Sequence, residues 1–547
     1  MKRSEFALVL LLVLLMCGTN ATATDGATKE VTAPLFDDLG DYHFPITTSS
    51  PDAQKYFDQG LILSYAFNHA ESARSFREAQ RLDPNCAMCF WGEALVLGPN
   101  INKPMDPSDN ASAYRLVGEA TQRISDVSAV EKSLIEALAT RYSESAKKDR
   151  ASLDATYATA MRRLSEIHPE SLEVNTLAAE AIMDTMPWDY YEADGSPKPD
   201  TLAATSLLEE VLRRNPNHAG AIHLYIHIVE PSATPQRAEA AADRLGELAP
   251  GAGHLVHMPS HIYLRVGRYA DASAANERAA LADESYIAQC RAQGFYPALY
   301  YPHNVHFLWY SASMEGRSKV ALDAAQKLVQ KVPKDMLDKV PFLQSFGAAP
   351  YFGLIRFAKW DEILSLPKPD GNLEFIAAMW HASRSVAALR LGKSDLAQNE
   401  MSAFREMVGQ IVSSKVAYGF PAAEILDIAG RFVEAEHAVI RKDYAAAENV
   451  LAEAVVIEDG LKYTEPPYWY FPMRQYLGAV QLQRGEYVSA EQTYRIDLRK
   501  NPRNGWSMKG LIVALRGQGR TSQANDVAKE YVNVWSEADI ELKSSRL

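Results

Sequence analysis

Along the chain, apolar residues return at three- and four-residue intervals and almost nowhere alternate. This spacing predicts helices with one apolar face and offers no convincing strand. The stretch YFDQGLILSYAFNHAESARSFREAQRLDPN shows it best, with a small residue (Gly60) in a first helix, an aromatic (Phe76) in a second, Ala79 after it and Pro84 closing the pair. The same frame starts near Ala53 and Ala87, near Ala219 and Gly253, near Pro302, and near Phe471 and Gly505; wherever two starts fall together the offset is 34 residues. Weaker copies fit around Ala378 and Ile428. The phrases LRVGRY, MEGRSK, LRLGKS, LQRGEY and LRGQGR each place Gly between two helical runs, where a helix end needs positive φ. A helix pair cannot bury its apolar face alone, so neighbouring pairs must stack. Two aromatic-rich insertions interrupt the pattern, Met186 to Asp200 and Glu284 to Pro302. Long irregular loops of this kind serve either as lids and binding loops or as plain packing.

The 34-residue frame with these residues resembles the tetratricopeptide-repeat (TPR) superfamily over most of the chain. The resemblance implies an all-α fold, a TPR-like α-solenoid built as a right-handed superhelix of antiparallel helix pairs. The expected organisation is a signal peptide (1–23), read from the N-terminal pattern below, a leader (24–50), an N-terminal solenoid with a His-rich groove (51–331) and a C-terminal solenoid (332–547). The phrases HLYIHIVEPS, GHLVHMPSHIYLRVGRY, YYPHNVHFLWYSASMEGR, EPPYWYFPMRQYLGAVQLQRGEY and NPRNGWSMKGL look like those of a group of exported TPR proteins with His-rich groove motifs. That second likeness brings no activity with it.

Composition narrows the classes. Of 547 residues, 47% are hydrophobic and 23% charged, which suits a large globular core. A net charge of −13 without a long basic run excludes nucleic acid and anionic membrane as partners, since phosphate binding needs clustered Lys and Arg. Lys2 and Arg3, the apolar run Phe6 to Met16 and the triplet Ala21-Thr22-Ala23 predict a cleaved secretory signal and export to the periplasm or medium. The run is too short to span a bilayer, so no transmembrane anchor is expected in the mature chain. A lipid anchor at Cys17 is the less favoured reading, because bulky Met16 stands where a small residue is expected. Asn110-Ala-Ser is a glycosylation acceptor only in a eukaryotic secretory pathway. Cys86, Cys89 and Cys290 are too few for a disulfide framework. Cys86 and Cys89, three apart on an expected helix, are read as small buried residues in preference to a strained bridge or a soft-metal pair.

The histidines carry the candidate chemistry. The TPR resemblance implies that the first helix of each pair lines the concave groove through its second, fifth, ninth, twelfth and thirteenth positions, together with the last residue of the preceding unit. His218 is such a preceding residue; His223, His227 and Glu230 are fifth, ninth and twelfth in their unit. His254, His257 and His261 are second, fifth and ninth in the next, and His303 and His306 second and fifth in the unit at Pro302. Eight of the 13 histidines thus share one segment and one implied face. His223 with His227, and His257 with His261, stand one helical turn apart, the spacing that lets two imidazoles share an ion. His254 with His257 and His303 with His306 offer two further pairs.

A lone helical His is usually a packed or surface residue. Eight crowded together would repel on protonation, and a transition metal removes that difficulty. Copper or zinc leads, with iron next. Glu230 is read as a ligand or general base, and Trp188, Asp189, Tyr190, Tyr300 and Tyr301 as a roof over a substrate. The expectation is an exported metal-binding protein that extends to a metal-dependent oxidoreductase or hydrolase. The alternative is a non-catalytic scaffold that takes a protein or peptide on its groove or C-terminal repeats. No GxxxxGK[ST], GxSxG or HExxH is present; in HLYIH, Leu224 stands where the last of these needs Glu.

Overall fold

The computed structural model describes residues 33–145, 149–290, 296–332, 334–337, 340–370, 373–413 and 418–547. The signal peptide, Cys17 and the start of the leader lie outside them. Among the described residues there are helices and no strand, only two isolated bridges. The architecture is a TPR-like α-solenoid, with successive helix pairs such as Pro51–Tyr65 and His69–Leu82, or Gly505–Gly517 and Thr521–Val534. The chain forms two compact units: one holds the described residues up to Ile262 together with Arg278–Tyr301, the other Tyr263–Glu277 and Pro302–Leu547. The divide therefore differs from the one expected at 331/332, which falls just after the helix Ser318–Lys331 of the second unit.

The repeat frame has a visible packing cause. In the first unit the Phe76 ring lies between Gly60 and Gly92, where an added Cβ would meet it at 2.7 and 2.3 Å. In the second, Tyr494 lies between Gly478 and Gly510 at 2.4 and 2.3 Å. Each aromatic of a second helix thus fills the gap between two first helices, and only a residue without a side chain leaves that gap open.

Cys86 and Cys89 are buried as expected, but they are joined by a disulfide, which corrects the unlinked reading. The cause is local. Cys86 is the cap of the helix Ala87–Val96, not part of it, and its extended backbone (φ −67°, ψ 98°) brings the two Cα atoms to 5.4 Å. The second insertion is also corrected in part: Glu284 to Cys290 continue the helix Tyr269–Cys290, and a turn of π-helix, Tyr296–Tyr300, leads into Tyr301–Glu315.

Two buried charges stand out. In the first unit, Arg141 pairs with Asp184 at 2.6 Å and Asp154 at 3.2 Å, donates to the Pro99 carbonyl, and lies 4.7 Å over the Tyr157 ring. Asp184 ends the helix Leu172–Met183, so this pair pins the start of the Met186 to Asp200 loop. In the second unit, burial raises the Glu315 carboxyl to about 7, with Ser273 donating to it, Arg317 opposing the rise and Glu277 and Glu537 adding to it. A raised folded pKa means that the protonated form stabilises the fold fully below the unfolded value near 4.5, and that this contribution is lost as pH rises to about 7. Glu315→Gln is expected to flatten that part of the stability profile, as read from denaturation midpoints between pH 4 and 8.

Candidate metal centre

The helix Ala219–Val229 carries His223 and His227 one turn apart on a buried face. Gly220 precedes them, and a Cβ there would meet the Tyr65 ring at 2.6 Å. Its absence lets the end of the helix Pro51–Tyr65 close in, so that His223 Nδ1 donates to the Tyr65 carbonyl at 2.5 Å. That carbonyl is in the last turn of its helix, where carbonyls lack helical partners. Since a carbonyl only accepts, Nδ1 carries the proton and Nε2 the lone pair. The same logic holds for His227, whose Nδ1 donates to Glu230 Oε1 at 3.2 Å.

Among the described residues, His223 Nε2, His227 Nε2 and both ring nitrogens of His254 are buried without a hydrogen-bond partner. One ring nitrogen from each of the three lies within 4.8 Å of the others. Buried polar atoms are otherwise almost always paired, so three orphans facing one another call for something between them. Burial also drives the charged form out: it lowers His223 and His227 to about 3, with His254 well below its ordinary value. All three are therefore neutral donors of lone pairs at neutral pH, as metal ligation requires.

His261 and His257 form a layer behind this triad. His261 Nδ1 donates to Glu230 Oε2 at 2.5 Å, His257 Nε2 lies 2.9 Å from His261 Nε2, and Ser260 Oγ lies 3.4 Å from His257 Nδ1. The donors fall in order, Ser260 to His257 to His261 to Glu230, and Glu230 receives His227 on its other oxygen. Of the two pairs expected on the sequence GHLVHMPSH, His257 with His261 stays together and His254 with His257 is regrouped. A helix over Gly253–His257 gives way at Pro259, which has no N–H and restarts a second helix, Pro259–Val266. His254 joins His223 and His227 instead of pairing with His257.

No family model matches the chain, and no curated protein does. Among solved structures it is similar to a human IFIT1 dimer with m7Gppp-AAAA, at 13% identity over 78% of this chain and 86% of that one, with a TM-score of 0.31. The APC/C hetero-tetramer Cut9–Hcn1 is similar at 13% identity over 88% of this chain and 73% of that one, with a TM-score of 0.29. Likeness at this level carries no argument about what this chain binds, and the fold assignment rests on the helix pairs above.

His218, His303 and His306 have contacts within their own units. His218 caps its helix, Nδ1 accepting from the Ala221 N–H at 3.1 Å while Nε2 meets Glu173 Oε1 at 2.9 Å; both nitrogens are used. His303 and His306 belong to the second unit, where His303 packs on Phe307 and His306 Nε2 lies 2.9 Å from the Tyr470 hydroxyl. Of the expected roof, Trp188 stands edge-on to His227 with ring centres 5.2 Å apart, and Tyr300 meets His254 at 4.7 Å. Tyr190 is buried, while exposed Asp189 pairs with Lys198 and Tyr301 donates to Glu284. The Met186 to Asp200 loop is tied to the histidine helix by Tyr191, whose hydroxyl donates to the Ile228 carbonyl at 2.8 Å.

Phe67 has no sequence signal of this role, yet its ring touches all three triad imidazoles, with centroids at 4.5, 5.9 and 5.5 Å. Phe67 and Trp188 both hold the left-handed backbone, φ 55° and 58°, which bulky residues rarely adopt. Strain of this kind collects where a ring must be aimed. Trp188, 37% exposed, separates the triad from solvent on its side and donates to Asn102 Oδ1 at 3.0 Å.

Proposed function

We propose that this is an exported TPR-type scaffold that holds a transition metal, copper or zinc ahead of iron, on His223, His227 and His254. The observation that supports the reading most directly is the convergence of three neutral, buried, unpartnered imidazoles. A zinc ion at about 2.0–2.1 Å from each nitrogen holds tetrahedral ligand atoms roughly 3.4 Å apart, so a small inward turn of the rings closes the site. Three protein donors leave a fourth position for water or substrate, which is the pattern of catalytic rather than structural zinc. Such an ion supplies Lewis acidity and an activated water, and copper in the same place supplies redox chemistry.

The chain's own residues divide the work around the ion. His223, His227 and His254 bind it; the Tyr65 carbonyl and Glu230 hold two of the rings in the productive tautomer; Phe67, Trp188 and Tyr300 wall it from bulk water. Glu230, with both oxygens engaged by Nδ1 atoms, fits an orienting carboxylate better than a ligand or general base. Glu230→Gln puts an amide NH2 against one of two N–H donors, so a metal-affinity loss of roughly 10–100-fold is expected by chelator competition. Export rests on the N-terminal pattern, and the Cys86–Cys89 bridge fits an oxidising compartment.

The test is elemental analysis of untagged protein beside the triple His223→Ala, His227→Ala, His254→Ala variant after reconstitution with each ion. About one equivalent retained by the first and lost in the second supports the reading, and the ion retained selects hydrolytic or oxidative assays. A wild-type chain that retains none of the ions sinks it.

A further inference from the structure

The second unit buries more positive charge than it pairs. Arg356 ends the helix Ala349–Arg356 and is 3% exposed. Its guanidinium lies 3.7 Å over the Trp506 ring, and the Trp506 N–H donates to the Ser313 carbonyl at 3.0 Å, so the plane of the cation is fixed. Nη1 donates to Gln475 Oε1 at 2.5 Å. The other edge meets no oxygen. Among the described residues Nε is buried without a hydrogen-bond partner, and Nη2 reaches the Met314 sulfur at 3.8 Å, a weak acceptor. That edge presents two parallel N–H groups in one plane, the fork that receives a carboxylate or phosphate through two bonds.

A second guanidinium repeats the pattern. Arg390 ends the helix Glu374–Arg390 and donates through Nη2 to Glu436, while its Nε is buried without a partner. Arg546 donates to the other oxygen of Glu436 and lies 5.7 Å over the Tyr476 ring. The Tyr476 hydroxyl stands in the field of all three cations: burial raises its pKa, Arg356, Arg546 and Arg390 oppose the rise, and Glu436 adds to it. The next carboxylate, Asp497, accepts from Ser507 at 2.5 Å, Asn501 at 2.9 Å and Asn504 at 3.1 Å instead of pairing with Arg356. Three guanidinium groups thus stand against two carboxylates, and one of the two is spent on neutral donors. Burial lowers Arg356 only to about 10, so it stays charged at neutral pH. A buried charge without a counter-ion is costly, and an anion on the unpaired edge removes the cost.

We propose that Arg356, with Arg390 and the Tyr476 hydroxyl, forms a buried binding site for a small free oxyanion of carboxylate or phosphate type. Two oxygens of the ion accept from Nε and Nη2 of Arg356, and its charge also offsets Arg390. The depth of Arg356 suits an ion and not a polypeptide. This proposal is independent of the metal centre.

The experiment dialyses the full chain into a chloride-free zwitterionic buffer and titrates it by calorimetry with sodium formate or sodium phosphate, each beside sodium chloride at matched ionic strength. Thermal midpoints are read on the same samples. One saturable site per chain for formate or phosphate, with a midpoint rise that follows occupancy and exceeds that of chloride, is expected. The ion that binds more tightly assigns the ligand to the carboxylate or the phosphate class. Arg356→Lys keeps the charge and removes the fork, so binding weakens at least tenfold. Arg390→Lys, at a half-buried position, carries the same expectation and decides the matter where the first variant does not fold. A midpoint shift no greater than that of chloride together with no binding heat for either ion overturns the proposal, and so does unchanged affinity in the folded Lys variants.

Discussion

His254→Ala is expected to lower the affinity of the proposed site for zinc or copper roughly 10²–10³-fold. Structural zinc contributes about 10–16 kcal/mol through four ligands, so one ligand of such a set carries roughly 3–4 kcal/mol. His254 separates ligation from packing better than its neighbours do. Neither of its ring nitrogens has a hydrogen-bond partner among the described residues, so the substitution removes a lone pair without orphaning a second group. Replacing His223 instead also strips the Tyr65 carbonyl of its donor, and replacing His227 releases one side of Glu230. Competition against a chromophoric chelator reads the affinity. Thermal midpoints of the metal-free proteins read the cavity the substitution leaves. Equal metal affinity in wild type and variant would remove His254 from the site.

Arg141→Ala is expected to destabilise the first unit by about 3–5 kcal/mol, the cost of leaving a buried carboxylate without its counter-charge. Asp184 loses its counter-charge while Asp154 keeps Arg150, and Asp184 already has one oxygen without a hydrogen bond. Burial pushes Asp184 well above the ordinary carboxylate range even with Arg141 opposing the rise, so the variant takes up a proton at higher pH than the wild type. Urea midpoints measure the loss, and a second change, Asp184→Asn, recovers part of it by removing the stranded charge. Because Asp184 stands at the base of the Met186 to Asp200 loop, proteolysis within that loop also rises in the single variant. A midpoint shift under about 1 kcal/mol would show that water reaches the pair and that the anchoring argument is wrong.

Periodicity makes the helices and their pairing readable because each pair repeats the same small-against-aromatic contact. Gly60 and Phe76, singled out in the sequence, are the residues that interlock. Helical spacing also puts His223 and His227 on one face before any coordinates are known. Cys86 escapes the same reasoning, since a helix cap and a helical residue differ by one backbone angle and the pattern of neighbours is alike for both. Phe67 escapes it for another reason: nothing in an apolar residue after a helix end announces a left-handed backbone aimed at three imidazoles.

By itself, then, the sequence determined an all-helical repeat chain and a crowd of histidines on neighbouring first helices, because both follow from spacing along the chain. Only the tertiary structure decided what each imidazole does. That decision depends on which partner meets each ring nitrogen, and those partners come from afar: the Tyr65 carbonyl at His223 Nδ1 is 158 residues away, Glu173 at His218 Nε2 is 45 away, and Glu230 at His261 Nδ1 is 31 away. An Nδ1 donated to an acceptor frees Nε2 for a metal, whereas the Ala221 N–H at His218 Nδ1, with Glu173 at Nε2, leaves that ring a structural cap.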